Sequence, residues 1–201
     1  MNALPNRSGL ISACSVRPQT LEDLVAEVWP ETLPVVCLDQ IHSSAFIEIT
    51  DPIPQIQPQV DASFTRVPNI LLTVRSADCL PILFTHPSGW VGGIHAGRVG
   101  TELGITHRVF EHFVQHLNLK DGFEIWFGPC ICEACYQIDP LLDIHYNLVK
   151  QNLSQLSALL DLSQSTVIQS GYCTSCRNDL FYSYRKEKTT LRMYSVIGMR
   201  A

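Results

Sequence analysis

Three short apolar runs, at residues 69–74, 80–84 and 90–94, follow one another with only brief polar turns between them. Runs of this length, bounded by turn residues, read as neighbouring buried strands, because a helix needs ten or more residues to cover a core. This stretch therefore commits the chain to a sheet whose faces are covered. It also carries chemistry. Ser76-Ala77-Asp78-Cys79-Leu80-Pro81 and Gly93-Ile94-His95-Ala96-Gly97 place one cysteine and one histidine at the adjoining ends of two of these strands. A second histidine, His42, stands upstream in Asp39-Gln40-Ile41-His42-Ser43.

The flanking sequence supplies more strands and a few helices. Residues 20–29 read as a short helix, capped by Thr20, with Asp23 in its first turn and Pro30 at its end. Residues 33–38 and 45–49 read as strands, and residues 50–60, with three prolines and three glutamines, as a loop. Residues 101–117 give the clearest helix, with Leu103, Val109, Phe110, Phe113, Val114 and Leu117 as its inner face. Residues 123–127 read as a strand and 141–160 as mostly helical, and residues 166–169 and 193–197 close the sheets. Strands and helices without regular βαβ alternation predict an α+β fold of layered mixed β-sheets flanked by helices. No internal repeat or long linker divides the chain, so 1–201 reads as a single domain.

Composition narrows the function. An apolar fraction of 46% with 16% charged residues is that of a globular chain, and a net charge of −5 argues against general nucleic-acid binding. No apolar run approaches the ~18 residues of a membrane span, and residues 1–16 lack the pattern of a signal peptide. A cytoplasmic location is expected. There the eight cysteines are thiols or ligands rather than disulfides.

Cys79 sits between Asp78 and Pro81, where a purely buried strand would not place a polar and a stiffening residue. Cys79 and His95 can serve as nucleophile and base. With His42 they make three ligands and leave a fourth position open, the pattern of catalytic zinc. Asp78 is the carboxylate nearest to them in sequence. His95 also opens a glycine-rich turn, residues 93–100, ahead of the long helix, where an anion could approach the backbone. Arg185 and Arg192, beside aromatics near the C-terminus, and Arg98 are candidate anion binders. Two Cys-x-x-Cys pairs, Cys132/Cys135 and Cys173/Cys176, with Cys130 nearby, could form a closed zinc site. The helix-sized gap between the pairs favours buried or incidental thiols instead. His112 and His116, one turn apart without the glutamate of a metalloprotease motif, read as a solvated helix face. His86, His107 and His145 have no supporting context.

Taken in order, Gln40-Ile41-His42-Ser43, Val60-Asp61-Ala62, Ala77-Asp78-Cys79-Leu80-Pro81, His95-Ala96-Gly97, Gly128-Pro129-Cys130-Ile131 with Cys135-Tyr136, and Phe181-Tyr182-Ser183-Tyr184-Arg185 resemble the motifs of the YfiH-like family. That family was first labelled multicopper polyphenol oxidase, or laccase domain, and later assigned as purine nucleoside phosphorylase with adenosine deaminase activity. The resemblance runs from about residue 40 to the C-terminus and leaves a shortened N-terminal region, 1–39. It implies a layered α+β fold shared in outline with cysteine hydrolases of the cytotoxic-necrotising-factor type. It implies that His42, Cys79 and His95 hold one zinc or copper ion, and that purine nucleosides are split by phosphate or deaminated by water. It also implies a shallow site, at the interface of a homodimer. The family usually reads His-Ala-Gly-Trp-Arg-Gly where this chain has His95-Ala96-Gly97-Arg98-Val99-Gly100, which moves the arginine by one place.

Three other functions compete. A metal-free hydrolase or deamidase would use Cys79 as nucleophile and His95 as base. A copper-dependent polyphenol oxidase, or laccase, would need several ions held by many histidines, and the seven histidines here contain no His-x-His pair. A catalytically altered binding protein would need none of the three.

Overall fold

The computed structural model describes residues 1–5, 8–29, 34–51, 56–57 and 59–201. Its first half is mostly strand: β1 (Leu10–Cys14), α1 (Leu21–Val28), β2 (Val35–Leu38), β3 (Phe46–Glu48), β4 (Ile56–Gln57), β5 (Ala62–Thr65), β6 (Leu71–Ser76), β7 (Leu80–Thr85) and β8 (Val91–Ala96). Then come α2 (Arg98–Glu102), α3 (Ile105–His116), β9 (Glu124–Phe127), a single 3-10 turn at Glu133–Cys135, and the small pair β10 (Gln137–Asp139) and β11 (Ile144–His145). The chain closes with α4 (Leu148–Ser157), β12 (Thr166–Gln169), α5 (Tyr184–Glu187) and β13 (Met193–Met199).

Apart from the β10/β11 pair, the described strands form two mixed sheets that lie face to face. One has the order β1-β13-β6-β2-β4, the other β12-β9-β7-β8-β5-β3. Val36, Leu38, Leu72, Val74 and Ile197 of the first sheet meet Leu83, Val91 and Trp126 of the second. On the far side of the second sheet, Val109, Phe110 and Phe113 of α3 and Leu148 and Leu156 of α4 pack on Phe64, Ile82, Phe84 and Ile94. On the far side of the first, Leu24 and Trp29 at α1 cover Ala13, Leu71 and Val196. β7 shows the logic. Leu80, Ile82 and Phe84 face the helices while Leu83 faces the opposite sheet, so a continuous apolar run is what a strand buried on both faces requires. The expected α+β class of layered, helix-flanked mixed sheets is what the chain adopts.

Several boundaries differ from expectation. The single helix expected over 101–117 is two: Gly104 adopts φ +78, which stops α2 and starts α3 in a new direction, and leaves Leu103 exposed rather than buried. Of the helix expected over 141–160, only Leu148–Ser157 forms. The preceding residues turn through the β10/β11 hairpin, with Leu141 and Leu142 exposed. Thr20 caps α1 in a reciprocal capping box with Asp23, as its sequence indicates. Pro30, Leu33 and most of the proline-rich stretch lie outside the described residues, although β4 places two residues of that stretch in a strand. β1, β5 and α5 carry no periodic signal strong enough to have been anticipated.

Candidate metal centre

The site is built where β7 and β8 end side by side. Their antiparallel register sets Leu80 opposite Ala96 and Pro81 opposite His95, so Cys79 enters β7 beside the point where His95 leaves β8. On the other side of β8, β5 pairs Ala62 with Ile94, which brings Asp61 next to His95. The His95 amide donates to the Asp61 carbonyl at 2.7 Å. His42 arrives from a separate loop. Gln40 anchors that loop by exchanging two side-chain hydrogen bonds with the Arg75 backbone, at 2.7 and 2.8 Å.

Asp61, fully buried, organises the centre. Its carboxylate accepts the backbone N–H groups of Ile41 (3.2 Å), His42 (3.0 Å) and Ser43 (2.7 Å), the Ser43 hydroxyl (2.8 Å), and Nδ1 of His95 (2.8 Å). His42 itself adopts φ +62, a left-handed conformation that wraps three successive amides around the carboxylate. Burial alone would raise the Asp61 pKa. The hydrogen bonds from His95 and Ser43 and the His95 charge outweigh it and hold the group below the usual aspartate value. An ionised carboxylate can only accept, so the His95 proton sits on Nδ1 and Nε2 is left for other work.

His42 Nε2 lies 3.6 Å from Cys79 Sγ, and the rings of His42 and His95 meet edge to face with centroids 4.9 Å apart. One ligand atom from each of His42, Cys79 and His95 falls within 4.8 Å of the other two. Two nitrogens and a sulfur suit zinc or copper. Ligands at about 2.0 and 2.3 Å on a tetrahedral ion stand about 3.6 Å apart, the spacing of His42 and Cys79. Gly97 makes room. A Cβ there would lie 2.6 Å from His42 Cδ2 and 2.9 Å from Cys79 Sγ, so any larger residue would press into two of the three ligands.

The electrostatics match. Burial opposes ionisation of Cys79, but the facing His95 charge and hydrogen bonds from both histidines bring the thiol down to about 6. At His95 burial opposes the imidazolium, yet the Cys79 thiolate and Asp61 raise its value to about 9. By contrast, burial pushes the Cys14 thiol up to about 11. In chelator-treated protein, the alkylation rate of Cys79 is therefore expected to level off with a midpoint near pH 6, and added zinc to slow it. A rate that instead climbs through the ordinary thiol range of about 8.5 would contradict this geometry.

The three side chains lie on the wall of a cleft of ≈ 850 Å³, which is also lined by Arg75, Tyr136, Tyr184, Arg185, Lys188 and Arg192. The sequence model of the family described as multi-copper polyphenol oxidoreductase laccase matches residues 19–200. The chain belongs to that family. It is 31% identical, over 82% of its length and 77% of the relative's, to a purine nucleoside phosphorylase of Campylobacter jejuni. To the YlmD purine nucleoside phosphorylase of Geobacillus stearothermophilus it is also 31% identical, over 82% and 72%. An adenosine deaminase from an unknown prokaryotic organism is 30% identical over 63% of this chain and 57% of that one. The crystal structure of the Geobacillus YlmD superposes with a TM-score of 0.86, covering 96% and 93% of the two chains at 24% identity, which establishes the shared fold.

Within this laccase-family fold, the other expected site residues divide. Arg185 and Arg192 line the cleft. Arg185 stacks its guanidinium over Tyr136 at 5.2 Å and donates to the Gln137 carbonyl at 2.9 Å. Arg98 pairs its Nη1 with both oxygens of Glu102, at 2.9 and 3.1 Å, and lies beside Tyr136 of the cleft wall. Asp78 borders the cleft, but both its oxygens are engaged. Oδ1 accepts the Thr174 hydroxyl at 2.7 Å and Oδ2 the Arg185 amide at 2.6 Å, so it tethers α5 to the start of β7. Asp61, Arg75 and Lys188 were missed as site residues. For Asp61 the only signal was its place in a family motif.

The cysteine pairs also depart from expectation. Cys132, Cys135, Cys173 and Cys176 come together in one cluster, because Cys130 and Cys173 form a parallel β-bridge after the chain between them has run through the β10/β11 pair, α4 and β12. His112 packs its ring 5.3 Å from that of Phe64, so this helix face is less solvated than its spacing suggested. Among the described residues, no helix is long and apolar enough to cross a membrane.

Proposed function

We propose that this chain is a metal-dependent purine nucleoside enzyme that splits adenosine, inosine or methylthioadenosine with phosphate and, more weakly, deaminates adenosine. The observation that carries this reading is the convergence of His42, Cys79 and His95, backed by buried Asp61, in a cleft whose rim is cationic. Zinc is assigned ahead of copper because two imidazoles, one thiolate and an open position form the pattern of a catalytic zinc. Such an ion, when bound, supplies Lewis acidity to substrate at the open position.

The protein's own groups do the rest. Asp61 fixes the tautomer and orientation of His95. Arg75, Arg185, Lys188 and Arg192 provide the charge that a phosphate nucleophile needs, with the arginines able to bind it through two donors at once. Tyr136 and Tyr184, which line the cleft, offer aromatic surface to a purine. Deamination needs in addition a carboxyl group that delivers a proton to the leaving amine. Asp78, which already accepts from Thr174 and the Arg185 amide, is the candidate, and phosphorolysis is placed first because the cleft rim is cationic.

A metal-free Cys79 nucleophile is the second reading, favoured by the Asp61–His95 hydrogen bond and the lowered thiol. Many-histidine copper chemistry has less support. Among the described residues the two clusters of three or more ligating groups contain, between them, two histidines.

Metal-replete protein incubated with each nucleoside should release free base only when phosphate is present, with a smaller release of ammonia from adenosine. Arg185→Ala should raise the KM for phosphate roughly tenfold or more, the loss of one charge-assisted hydrogen bond. No product from any of the three nucleosides would refute the reading. Turnover that survives complete removal of metal would favour the Cys79 nucleophile.

A further inference from the structure

We propose that Cys132, Cys135, Cys173 and Cys176 form a second, structural zinc site. All four sulfurs lie within 4.8 Å of one another, each from one arm of a Cys-x-x-Cys pair. Cys135 Sγ and Cys176 Sγ are 3.6 Å apart. Sulfurs sharing a tetrahedral zinc at about 2.3 Å stand about 3.8 Å apart, so the cluster needs little movement to close on an ion. Cys173 Sγ accepts the backbone N–H groups of Cys132, at 3.3 Å, and Cys176, at 3.4 Å. Backbone amides aimed at a sulfur favour its thiolate, the form that binds metal.

Four sulfurs leave no open position for a substrate, which makes the site structural rather than catalytic. Its place in the fold says what it would hold. The bridge between Cys130 and Cys173 is a single β-contact joining two loops. One of these loops leads through Glu133–Cys135 to Tyr136 on the cleft wall. The other carries Thr174, whose hydroxyl holds Asp78. A zinc ion would clamp the two loops together and fix that side of the cleft. The inference does not depend on which reaction the cleft performs. The rival state is a Cys135–Cys176 disulfide, which would consume two of the four ligands.

The test is metal analysis of the full chain, prepared under reducing conditions. The Cys79→Ser variant, with the first site disabled, should retain one equivalent of zinc. Replacing that zinc with cobalt should give intense thiolate-to-cobalt charge transfer and the visible bands of a tetrahedral all-sulfur site. Adding Cys132→Ser and Cys176→Ser should abolish both signals. If that variant does not fold, the cobalt spectrum of Cys79→Ser decides alone. A Cys79→Ser chain that binds no zinc, or a thiol count in denaturant that shows Cys135 and Cys176 joined, would overturn the proposal.

Discussion

On the proposed function, Cys79→Ser is expected to lower kcat/KM for the preferred purine nucleoside by a factor on the order of 10³, because several kcal/mol of transition-state charge stabilisation would depend on the ion that the thiolate would help to hold. The serine hydroxyl stays protonated at neutral pH and is a poor zinc ligand, while its smaller volume leaves the strands undisturbed. The far-UV circular dichroism and urea midpoint of the chelator-treated variant should therefore match those of chelator-treated wild type. Steady-state kinetics with phosphate in excess give the measurement. A variant that loses ion affinity yet keeps wild-type turnover would remove the metal from the mechanism.

Asp61→Ala should have the largest effect on stability of any single substitution at the site. It strips the acceptor from three backbone amides, the Ser43 hydroxyl and His95 Nδ1 at once. Each buried donor left unsatisfied costs about 1–3 kcal/mol, so even with water partly replacing the carboxylate the loss should exceed about 3 kcal/mol. Urea denaturation in the presence of chelator isolates this from ion binding. Asp61→Asn keeps one acceptor oxygen and should fold better, but it should still weaken metal binding by roughly 10–100-fold through misorientation of His95. The pH dependence has a definite sign. Asp61 is held below the usual aspartate value, so its contribution is fully present above the unfolded value of about 3.9 and is lost as pH falls through the folded one. The acid limb of the stability curve should flatten in Asp61→Ala. An Asp61→Ala protein as stable as wild type, with unchanged zinc affinity, would show that the carboxylate does not organise the centre.

How much of this was legible in the sequence depends on how local each signal is. The apolar runs around Leu83 and Ile94 fix doubly buried strands, since a continuous apolar string suits only a strand covered on both sides. The adjoining placement of Cys79 and His95 follows from that pairing. Asp61 is marked in the sequence only by its place in a family motif: a lone aspartate before a strand looks ordinary until the β5–β8 register sets it against His95. Arg75 and Lys188 join the cleft through β6 and the end of α5, elements far apart in sequence. Arg98 pairs with Glu102 one helical turn on while also lying beside Tyr136, a neighbourhood that its place in the turn does not reveal. The two Cys-x-x-Cys pairs were discounted for their separation. The intervening chain folds as α4 and β12 and returns beside β9, so a long gap in sequence is weak evidence against their meeting. Gly104 broke a helix whose apolar pattern ran straight through it.

The most direct test of the central claim is anomalous diffraction from crystals of metal-replete protein, recorded at the zinc and copper absorption edges. The account predicts a zinc-edge peak about 2.0–2.3 Å from a nitrogen of His42, Sγ of Cys79 and Nε2 of His95. Its absence there, in crystals whose protein retains metal in solution, would contradict it.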